Sequence, residues 1–312
     1  MSNVRLGRTG LMISPVVFGC NVFGWTVDEA ASHDLLDRMV DQGITTLDTA
    51  DVYNRWVEGH SGGESETIIG TWLAANPSRR DQVQIITKVG GPMPDGGGLS
   101  AKWIETEVEN SLRRLQTDRI DLYFSHRPDA ETPHEETLAA YQRLIDAGKV
   151  RSIGASNFDA RLMQAAEAAA GLTPYGAQQP EYNLFTRDVF EGALQDFCAA
   201  HDVGVIPFYG LAAGFLTGKY RTEADLKGPR GERTIARFLN DRGLKILAAM
   251  DAVADETGAA HAEIALAWLR QKPGVTAPIA SATSERQLAS LVTAMTLELS
   301  DAAMAQLDAA GA

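Results

Sequence analysis

Four ionisable side chains lie just beyond three consecutive apolar segments, and their types together suit the transfer of a proton to an oxygen atom. They are Asp48 and Tyr53 after residues 44–47, Lys88 after residues 83–87, and His126 after residues 120–124. Free tyrosine, with a pKa near ~10, is a weak acid at neutral pH, and a neighbouring ammonium lowers that pKa. A carboxylate holds the lysine charged, and a histidine donates a hydrogen bond to the substrate oxygen. The set therefore predicts a tyrosine that protonates an alkoxide.

Each of the four residues also has an ordinary structural interpretation. Asp48 suits a helix N-cap, and Lys88 suits a solvated strand end. Tyr53 suits a loop aromatic, and His126 suits a turn before residues 127–129. Taken singly, none of them distinguishes catalysis from structure. Their joint occurrence at matching positions of successive units favours a catalytic site.

A repeated unit of apolar segment, turn and helical pattern must position these side chains. Eight apolar, β-branched segments are found, at residues 16–18, 44–47, 83–87, 120–124, 150–153, 175–178, 203–207 and 275–279. Parallel strands need long crossovers, and eight such units in about 300 residues match a closed barrel. We therefore expect an α/β fold, a single (β/α)8 TIM barrel over residues 1–312 with long loops at the C-terminal face of the strands. A doubly wound open sheet is the structural alternative.

Helix ends are marked in two places. Residues 26–29 predict a capping box for a helix that ends at Gly43. Ser100 predicts the N-cap of a helix whose buried positions recur at helical spacing. Those positions are Ile104, Val108, Leu112 and Leu115.

Two long loops interrupt the pattern, at residues 54–63 and 220–240, and long loops in a compact domain are usually functional or disordered. We expect the first loop to overhang a substrate pocket, with Trp56, Trp25 and Phe23 as an apolar wall, or else Trp56 packs the loop against the barrel. The polar residues that would meet a polar or anionic substrate are Arg55 and His60. The basic residues that would meet an anionic ligand, or else form a solvated loop, are Lys219, Arg221, Lys227, Arg230, Arg233, Arg237 and Arg242.

Composition narrows the classes of partner. The net charge of −13 repels nucleic acid and anionic membrane surfaces. No apolar leader opens the sequence, and no apolar run approaches the ~20 residues of a membrane span, so we expect a cytoplasmic protein. Cys20 and Cys198 stand outside any metal-binding spacing and are typical of reduced thiols. No pattern indicates an oligomer, so a monomer is the default.

The motifs, taken in order, resemble those of the aldo-keto reductases from about Arg5 to Leu291. The segments that carry the resemblance are residues 6–11, 47–53, 87–88, 126–129, 154–158, 179–184 and 214–220. That family folds as a TIM barrel and binds NADPH extended across its rim without a Rossmann fold, and this chain has no GxGxxG motif. The resemblance implies a catalytic tetrad of Asp48, Tyr53, Lys88 and His126, with Tyr53 as the general acid.

The resemblance also implies a set of cofactor-binding residues. They are Ser156, Asn157 and Gln179 at the nicotinamide carboxamide, Phe208 on the nicotinamide ring, Leu211, Ala213 and Lys219 at the pyrophosphate, and Ser281, Thr283 and Gln287 at the adenosine phosphate. Residues 284–287 independently predict a capping box, so this helix start offers free N–H groups to an anion. Residues 214–219 do not form a P-loop, because three residues rather than four separate the glycines.

Three features depart from the family pattern. Residues 209–210 are Tyr-Gly where the family usually has a small residue and proline, and Ser281 stands where glycine or lysine is common. Residues 290–291 replace a Glu-Asn pair that grips the adenine, and Gln287 replaces a common arginine. The missing guanidinium weakens the case for a 2′-phosphate, although Arg286 is adjacent. We expect NADPH, with NADH as the alternative.

The leading hypothesis is an NADPH-dependent reductase of an aldehyde or ketone, with a small-molecule carbonyl compound as its partner. The sequence does not distinguish among small aldehydes, sugars, keto-steroids and other cyclic ketones as the substrate. One alternative is oxidation of an alcohol or sugar by the same site. Another is a weakly catalytic, NADPH-sensing regulatory subunit similar to channel-associated members of the family; the intact tetrad and the lack of an N-terminal extension count against it. A metal-dependent hydrolase is a weaker reading, because only His126 is well placed as a ligand.

Overall fold

The structure is a computed structural model and describes residues 2–169, 171–226 and 234–312. The strands of the described part are β1 Val4–Arg5, β2 Met12–Ile13, β3 Val17–Gly19, β4 Thr46–Asp48, β5 Gln84–Val89, β6 Ile120–Ser125, β7 Val150–Ser156, β8 Ala177–Gln179, β9 Gly204–Val205 and β10 Ile279–Ala280. Its α-helices are α1 Glu29–Asp41, α2 Glu64–Ala75, α3 Ala101–Leu115, α4 His134–Asp146, α5 Ala160–Glu167, α6 Ala193–Ala200, α7 Asp241–Thr257, α8 His261–Gln271, α9 Glu285–Ala294 and α10 Asp301–Gly311.

Strands β3 to β10 form one parallel sheet in the order β10-β3-β4-β5-β6-β7-β8-β9 within the described residues. Ile279 of β10 pairs with Val17 of β3. On the other side, the Thr276 and Ile279 amides donate to the carbonyls of Val205 at 2.8 Å and Pro207 at 2.9 Å. These bonds join the segment leading into β10 to β9 and close the sheet. The predicted (β/α)8 barrel is therefore confirmed, and an open doubly wound sheet is wrong.

Alternate residues of the strands enter two separate hydrophobic clusters. Those that point outward pack against the helices and include Leu47, Ile85, Tyr123, Ile153 and Val205. Those that point inward fill the barrel and include Val17, Ile86, Leu122, Ala177, Ile206 and Ile279. Side chains alternate along a strand, so a residue two positions after an inward-pointing one also points inward. It lies closer to the C-terminal rim of the barrel.

An antiparallel hairpin of β1 and β2, which the sequence analysis did not predict, precedes the barrel. Its side chains Leu6, Leu11 and Ile13 are buried in the inner cluster. Leu6 lies against Gly204, where β9 begins, so closely that a Cβ on that glycine would be 2.4 Å from the leucine side chain. The hairpin therefore closes the N-terminal end of the barrel. Strands of two residues are too short to show a period of two in the sequence.

Helix α1 begins differently from the prediction. Asp28, rather than Thr26, is the N-cap, and its side chain accepts a hydrogen bond from the Ala31 amide at 2.9 Å. Val27, directly after Thr26, forms a bridge with Phe23, and its carbonyl accepts from the Gly24 amide at 2.8 Å, so the helix cannot begin there. The predicted end at Gly43 is close to the observed one, since α1 ends at Asp41 and Gly43 adopts a φ of 88°.

Helix α3 follows its prediction. The Ser100 side chain caps the helix by accepting a hydrogen bond from the Trp103 amide. The four predicted inward positions are all buried, namely Ile104, Val108, Leu112 and Leu115. Where α2 crosses α3, a Cβ on Gly70 would be 1.9 Å from the carbonyl oxygen of Arg114. This crossing therefore requires a glycine.

The basic residues between 219 and 242 face different partners. Arg221 pairs with Asp251, Arg237 pairs with Glu181, and Arg242 donates to the Gly311 carbonyl. Lys227, Arg230 and Arg233 lie outside the described residues. Within the described part of the chain, no helix is both long and apolar enough to cross a membrane. Both cysteines, Cys20 and Cys198, are buried and free there.

Candidate active site

Strand alternation places seven of the predicted site residues at the C-terminal rim of the barrel interior. They are Asp48 at the end of β4, Lys88 on β5, His126 after β6, Ser156 at the end of β7, Gln179 at the end of β8, Phe208 after β9 and Ser281 after β10. Lys88 stands two residues beyond Ile86, and Gln179 two beyond Ala177, both of the inner cluster. This common parity is visible in the sequence once the strands are known.

Lys88 is fully buried and connects the reactive side chains. Its ammonium donates to both carboxylate oxygens of Asp48, at 2.7 Å to Oδ2, and to the carbonyl of Thr49 at 2.8 Å. It also donates to the hydroxyl of Tyr53 at 3.0 Å. The Tyr53 hydroxyl lies 3.4 Å from Asp48 Oδ1. One ion pair thus orients the phenol at the rim.

The predicted lowering of the Tyr53 pKa is not found in the structure. Burial raises the pKa of Tyr53 well above its usual value, and the charge of Asp48 adds to the effect. Asp48 offsets the ammonium that was expected to favour the phenolate. Burial also lowers the pKa of Lys88, although Asp48 opposes this. Tyr53 is therefore held as a neutral phenol, a form able to donate a proton.

His126 extends the strand ladder, since its amide donates to the Val89 carbonyl at 2.8 Å. Its ring centroid lies 6.2 Å from that of Tyr53, at an interplanar angle of 74°. Burial lowers the pKa of His126 well below its usual value, and the charges of Lys88 and Arg127 act in the same direction. The imidazole is therefore neutral, with one N–H to donate. Its buried Nδ1 has no hydrogen-bond partner among the described residues.

The residues expected at the nicotinamide carboxamide are joined to the tetrad by hydrogen bonds. Gln179 Nε2 donates to Asp48 Oδ2 at 3.0 Å, and Ser156 Oγ donates to the Gln179 carbonyl at 2.9 Å. Asn157 Nδ2 donates to the carbonyl of His126 at 2.9 Å and to Ser156 Oγ at 3.1 Å. The sequence did not predict these links; the Gln179–Asp48 bond joins β8 to β4, which are not neighbours in the sheet, and the bonds to the Gln179 and His126 carbonyls join the ends of neighbouring strands.

Phe208 packs over the inner cluster and is half-buried, at the place expected for an aromatic ring on the nicotinamide. Tyr209, the departure from the family pattern, adopts a left-handed φ of 56° and lies 5.2 Å from Phe208, ring to ring. Further along, Ala213 and Gly214 adopt φ values of 57° and 102°. Successive amides in such a turn form a concavity that suits an anion. Leu211 precedes this turn and is half-buried.

The side chain of Lys219 lies just after this turn. Its ammonium sits over the ring of Tyr220, 5.0 Å from the centroid, and the side chain is exposed. A cation at this place is available to a phosphate at the rim. Of the basic residues considered together above, Lys219 is the one the resemblance assigns to the pyrophosphate.

The start of α9 carries the residues expected at the adenosine phosphate. Ser284 accepts a hydrogen bond from the Gln287 amide, as predicted. The Gln287 side chain, however, accepts from the Thr283 amide at 2.8 Å rather than from that of Ser284, so the capping box is displaced by one residue. Ser281 Oγ donates to Asn21 Oδ1 at 2.8 Å and so ties this end of the rim to β3.

Trp56 lies beside the phenol, and Trp25 packs against Trp56. Trp56 is 52% exposed, and its ring centroid lies 6.1 Å from that of Tyr53. Trp25 is 37% exposed and packs edge to face on Trp56 at 5.5 Å and 81°. The prediction for Phe23 is wrong, because its ring is fully buried and stacks on Phe18 at 5.5 Å. The exposed apolar surface beside the phenol thus comes from the two indoles.

Sequence reasoning treated Asn54 only as the start of a loop. Asn54 is fully buried, adopts a φ of 72°, and donates from Nδ2 to the Phe23 carbonyl. Arg55, expected to meet a polar substrate, instead donates to the Pro92 carbonyl at 2.6 Å. His60 is half-buried, and its Nδ1 has no hydrogen-bond partner in the described part of the chain.

The comparisons with known proteins agree with this geometry. A model of the aldo/keto reductase family matches residues 15–312. The chain belongs to that family. Family membership implies an oxidoreductase, and aldo/keto reductases act on small carbonyl compounds.

Several curated relatives align over most of the chain. An uncharacterized oxidoreductase YrpG of Bacillus subtilis is 35% identical, over 96% of this chain and 92% of that protein. The aldo-keto reductase YhdN of the same organism is 33% identical, over 96% and 91%. A probable voltage-gated potassium channel subunit beta of Arabidopsis thaliana is 35% identical, over 92% and 89%. The family resemblance stated from the motifs is thereby confirmed.

Proposed function

We propose that this protein reduces an aldehyde or ketone to the alcohol, with NADPH as the cofactor and Tyr53 as the proton donor. The observation that carries the proposal is the hydrogen bond of 3.0 Å between the buried Lys88 ammonium and the Tyr53 hydroxyl, with Asp48 holding the ammonium in place. A bound NADPH, or NADH as the alternative, supplies the hydride to the carbonyl carbon.

The side chains of the tetrad then have distinct tasks. Tyr53 keeps its proton because its pKa is raised by burial, and it gives that proton to the alkoxide, a much stronger base. Lys88 stabilises the phenolate that is left. His126 is neutral because burial lowers its pKa. Its N–H therefore donates a hydrogen bond to the carbonyl oxygen without competing with Tyr53 as the proton donor.

The rim residues fit an extended dinucleotide. Phe208 offers an aromatic face above the barrel interior, and the left-handed turn at residues 213–214, whose Gly214 amide already donates to the Leu211 carbonyl at 2.8 Å, lies where the resemblance places the pyrophosphate. The start of α9 supplies N–H groups for the adenosine phosphate. The carboxamide of the nicotinamide would be held by Ser156, Asn157 and the Gln179 side chain.

The reverse reaction uses the same atoms. With an oxidised cofactor bound, the Tyr53 phenolate takes the proton of an alcohol or sugar hydroxyl, and the neighbouring ammonium stabilises that phenolate. Activity with alcohols and the oxidised cofactor, and none with carbonyl compounds, would assign this direction to the protein.

A second candidate is a weakly catalytic, NADPH-sensing regulatory subunit. It is favoured by the relative from Arabidopsis thaliana that is named a probable voltage-gated potassium channel subunit beta. Relatives named oxidoreductase or aldo-keto reductase are about as similar to this chain. Tight NADPH binding without turnover of any carbonyl compound would favour this candidate.

The test follows NADPH and NADH oxidation by the purified protein against a panel of aldehydes and ketones. We expect Tyr53→Phe to bind cofactor normally, measured by fluorescence quenching, and to lose about 10²- to 10⁴-fold in kcat, because the proton donor is absent. The matched control is Tyr123→Phe, since the buried Tyr123 hydroxyl has no hydrogen-bond partner among the described residues. Near-normal turnover by Tyr53→Phe would contradict the mechanism.

A further inference from the structure

One hydrogen bond joins the bases of the two loops that carry the exposed tryptophans. The Asn54 side-chain amide donates to the main-chain carbonyl of Phe23. Trp56 stands two residues after Asn54, and Trp25 stands two residues after Phe23. The loops therefore touch twice, through this hydrogen bond at the base and through the edge-to-face indoles at the top, 5.5 Å apart.

The hydrogen bond attaches a long loop to a fixed point. Phe23 is anchored in the core by its stacking on Phe18. Residues 49–63, in contrast, connect β4 to α2 through turns. Asn54 lies in that connection and is fully buried, as residues 49–51 are before it, whereas residues 55–56 after it are exposed. Displacing its side chain would release Trp56 from its position beside Tyr53.

The backbone at this position restricts which residue can serve. Asn54 adopts a φ of 72°, a left-handed conformation that glycine and asparagine tolerate best. Glycine would keep the turn but lose the side-chain amide. The Val57 amide donates to the Asn54 carbonyl at 2.9 Å, so the turn also sets the direction of the chain through Trp56.

The surface held in this way is apolar and flat. Trp56, 52% exposed, presents ring surface next to the reactive phenol, and Trp25, 37% exposed, packs on Trp56 and extends that surface. Aromatic rings gain from offset or edge-to-face contact with other rings beyond the burial of their area. The guanidinium of Arg55 already donates to the Pro92 carbonyl, so ring contact is the attraction that this surface offers.

We propose that Asn54 is a positioning residue for substrate specificity, which holds Trp25 and Trp56 as a wall beside Tyr53 and so selects carbonyl compounds that carry a flat apolar ring. The inference rests on the proposed reductase function. Asn54 acts through the two indoles and does not itself touch the reacting atoms.

The test compares kcat/KM for benzaldehyde with kcat/KM for butanal. We expect Asn54→Gly to lower this ratio about five- to ten-fold, mainly through a higher KM for benzaldehyde, because the ring contact is lost. Asn54→Asp keeps the size of the side chain but replaces the donating amide by a carboxylate, and is expected to behave like Asn54→Gly. Glu58→Gln, on the exposed part of the same loop, is the matched control.

A double-mutant cycle with Trp25→Leu shows whether the effect passes through the indoles. Trp25→Leu alone should lower the ratio, and adding Asn54→Gly should lower it little further. An unchanged ratio in Asn54→Gly, or a full second loss in the double variant, would overturn the inference. If circular dichroism shows that neither Asn54 variant folds, Trp25→Leu alone is the test, since Trp25 is exposed. An unchanged ratio of kcat/KM for benzaldehyde to that for butanal in this variant would contradict the inference.

Failure of this inference differs from failure of the proposed function. If the wild type oxidises NADPH with carbonyl compounds and loses that activity in Tyr53→Phe, the reductase stands whatever the Asn54 variants do. If the wild type reduces other members of the aldehyde and ketone panel but not benzaldehyde, the specificity inference falls alone. If it reduces no member of the panel, the reductase and the specificity inference fall together.

Discussion

At the scale of single residues, the buried pair of Asp48 and Lys88 links stability to chemistry. Both side chains are almost fully inaccessible, at 1% and 0% exposure. Removing one partner of such a pair leaves a buried charge without compensation, which typically lowers the free energy of unfolding by about 3–5 kcal/mol. The same ammonium contacts the Tyr53 hydroxyl. A change here therefore affects folding and turnover together, and the two effects have to be separated.

We expect Lys88→Met to lower the free energy of unfolding by about 3–5 kcal/mol and to reduce kcat strongly, while NADPH still binds. The double variant Asp48→Asn/Lys88→Met should recover most of the stability, because no buried charge remains, but not the turnover. Urea unfolding and steady-state kinetics measure the two effects. Recovery of turnover in the double variant would remove Lys88 from the proposed mechanism.

At the scale of elements, the start of α9 illustrates how a helix end is shared between structure and ligand. Ser284 and the Gln287 side chain already accept hydrogen bonds there, from the amides of Gln287 and Thr283. Glu285 adds a negative charge to the first turn, which Arg38 of α1 balances at 2.5 Å. The exposed Arg286 is thus the guanidinium in this turn that a 2′-phosphate would meet.

We expect Arg286→Gln to weaken NADPH binding about five- to ten-fold and to leave NADH binding nearly unchanged, because only NADPH carries the 2′-phosphate. Titration of protein fluorescence with each cofactor gives the two dissociation constants. Arg38→Gln, on α1, serves as the charge-matched comparison. Equal weakening of NADPH and NADH binding would show that Arg286 does not act on the 2′-phosphate.

Elements with strong local signals were predictable. Each strand segment read from the sequence overlaps an observed strand, because buried β-branched residues bounded by turns are a local pattern. Ser100 was correctly assigned as a cap for the same reason. The cap of α1 was assigned wrongly, because Thr26 satisfies the pattern but the next residue, Val27, is held in a bridge with Phe23.

The site was predictable where it depends on strand parity and not where it depends on contacts between loops. Asp48 and Lys88 were assigned because they directly follow apolar segments, and Gln179 was assigned from the family resemblance; the structure places all three at inward-facing positions near the ends of strands. Asn54 was missed because its partner Phe23 is 31 residues away and is bonded through a main-chain carbonyl. The direction of the Tyr53 pKa was also missed, since it depends on burial and on opposing charges whose balance only the folded chain determines.

At the scale of the whole molecule, an acidic chain also encloses acidic groups. Asp51, behind the tetrad, is buried among Glu66 of α2 and Glu107 of α3, with Arg114 of α3 as the nearby cation and Tyr123 of β6 on the same side. Burial raises the pKa of Asp51 well above its usual value, and the two glutamates add to this. The folded chain therefore keeps a proton that the unfolded chain releases.

This difference makes stability depend on pH. Above the ordinary carboxyl pKa, near ~3.9, the unfolded state loses the Asp51 proton first, so this group lowers the free energy of unfolding by up to about 1.4 kcal/mol per pH unit as the pH rises. Asp51→Asn mimics the protonated form, and its stability relative to wild type should increase with pH from about 4 upwards. Urea unfolding across this range measures the difference, and a gap between the two proteins that stays constant with pH would contradict it.

The order of the site residues around the barrel has a consequence for how such proteins diverge. The groups proposed for proton transfer come from β4, β5 and β6, whereas those proposed for the nucleotide come from β7 to β10. The residues proposed for proton transfer and those proposed for the nucleotide are thus encoded in separate halves of one gene. Substitutions in the first half can silence the reaction and leave a nucleotide-dependent shape intact, on which selection can act for signalling. Descent from one ancestor is then compatible with relatives named aldo-keto reductase and relatives named channel subunit.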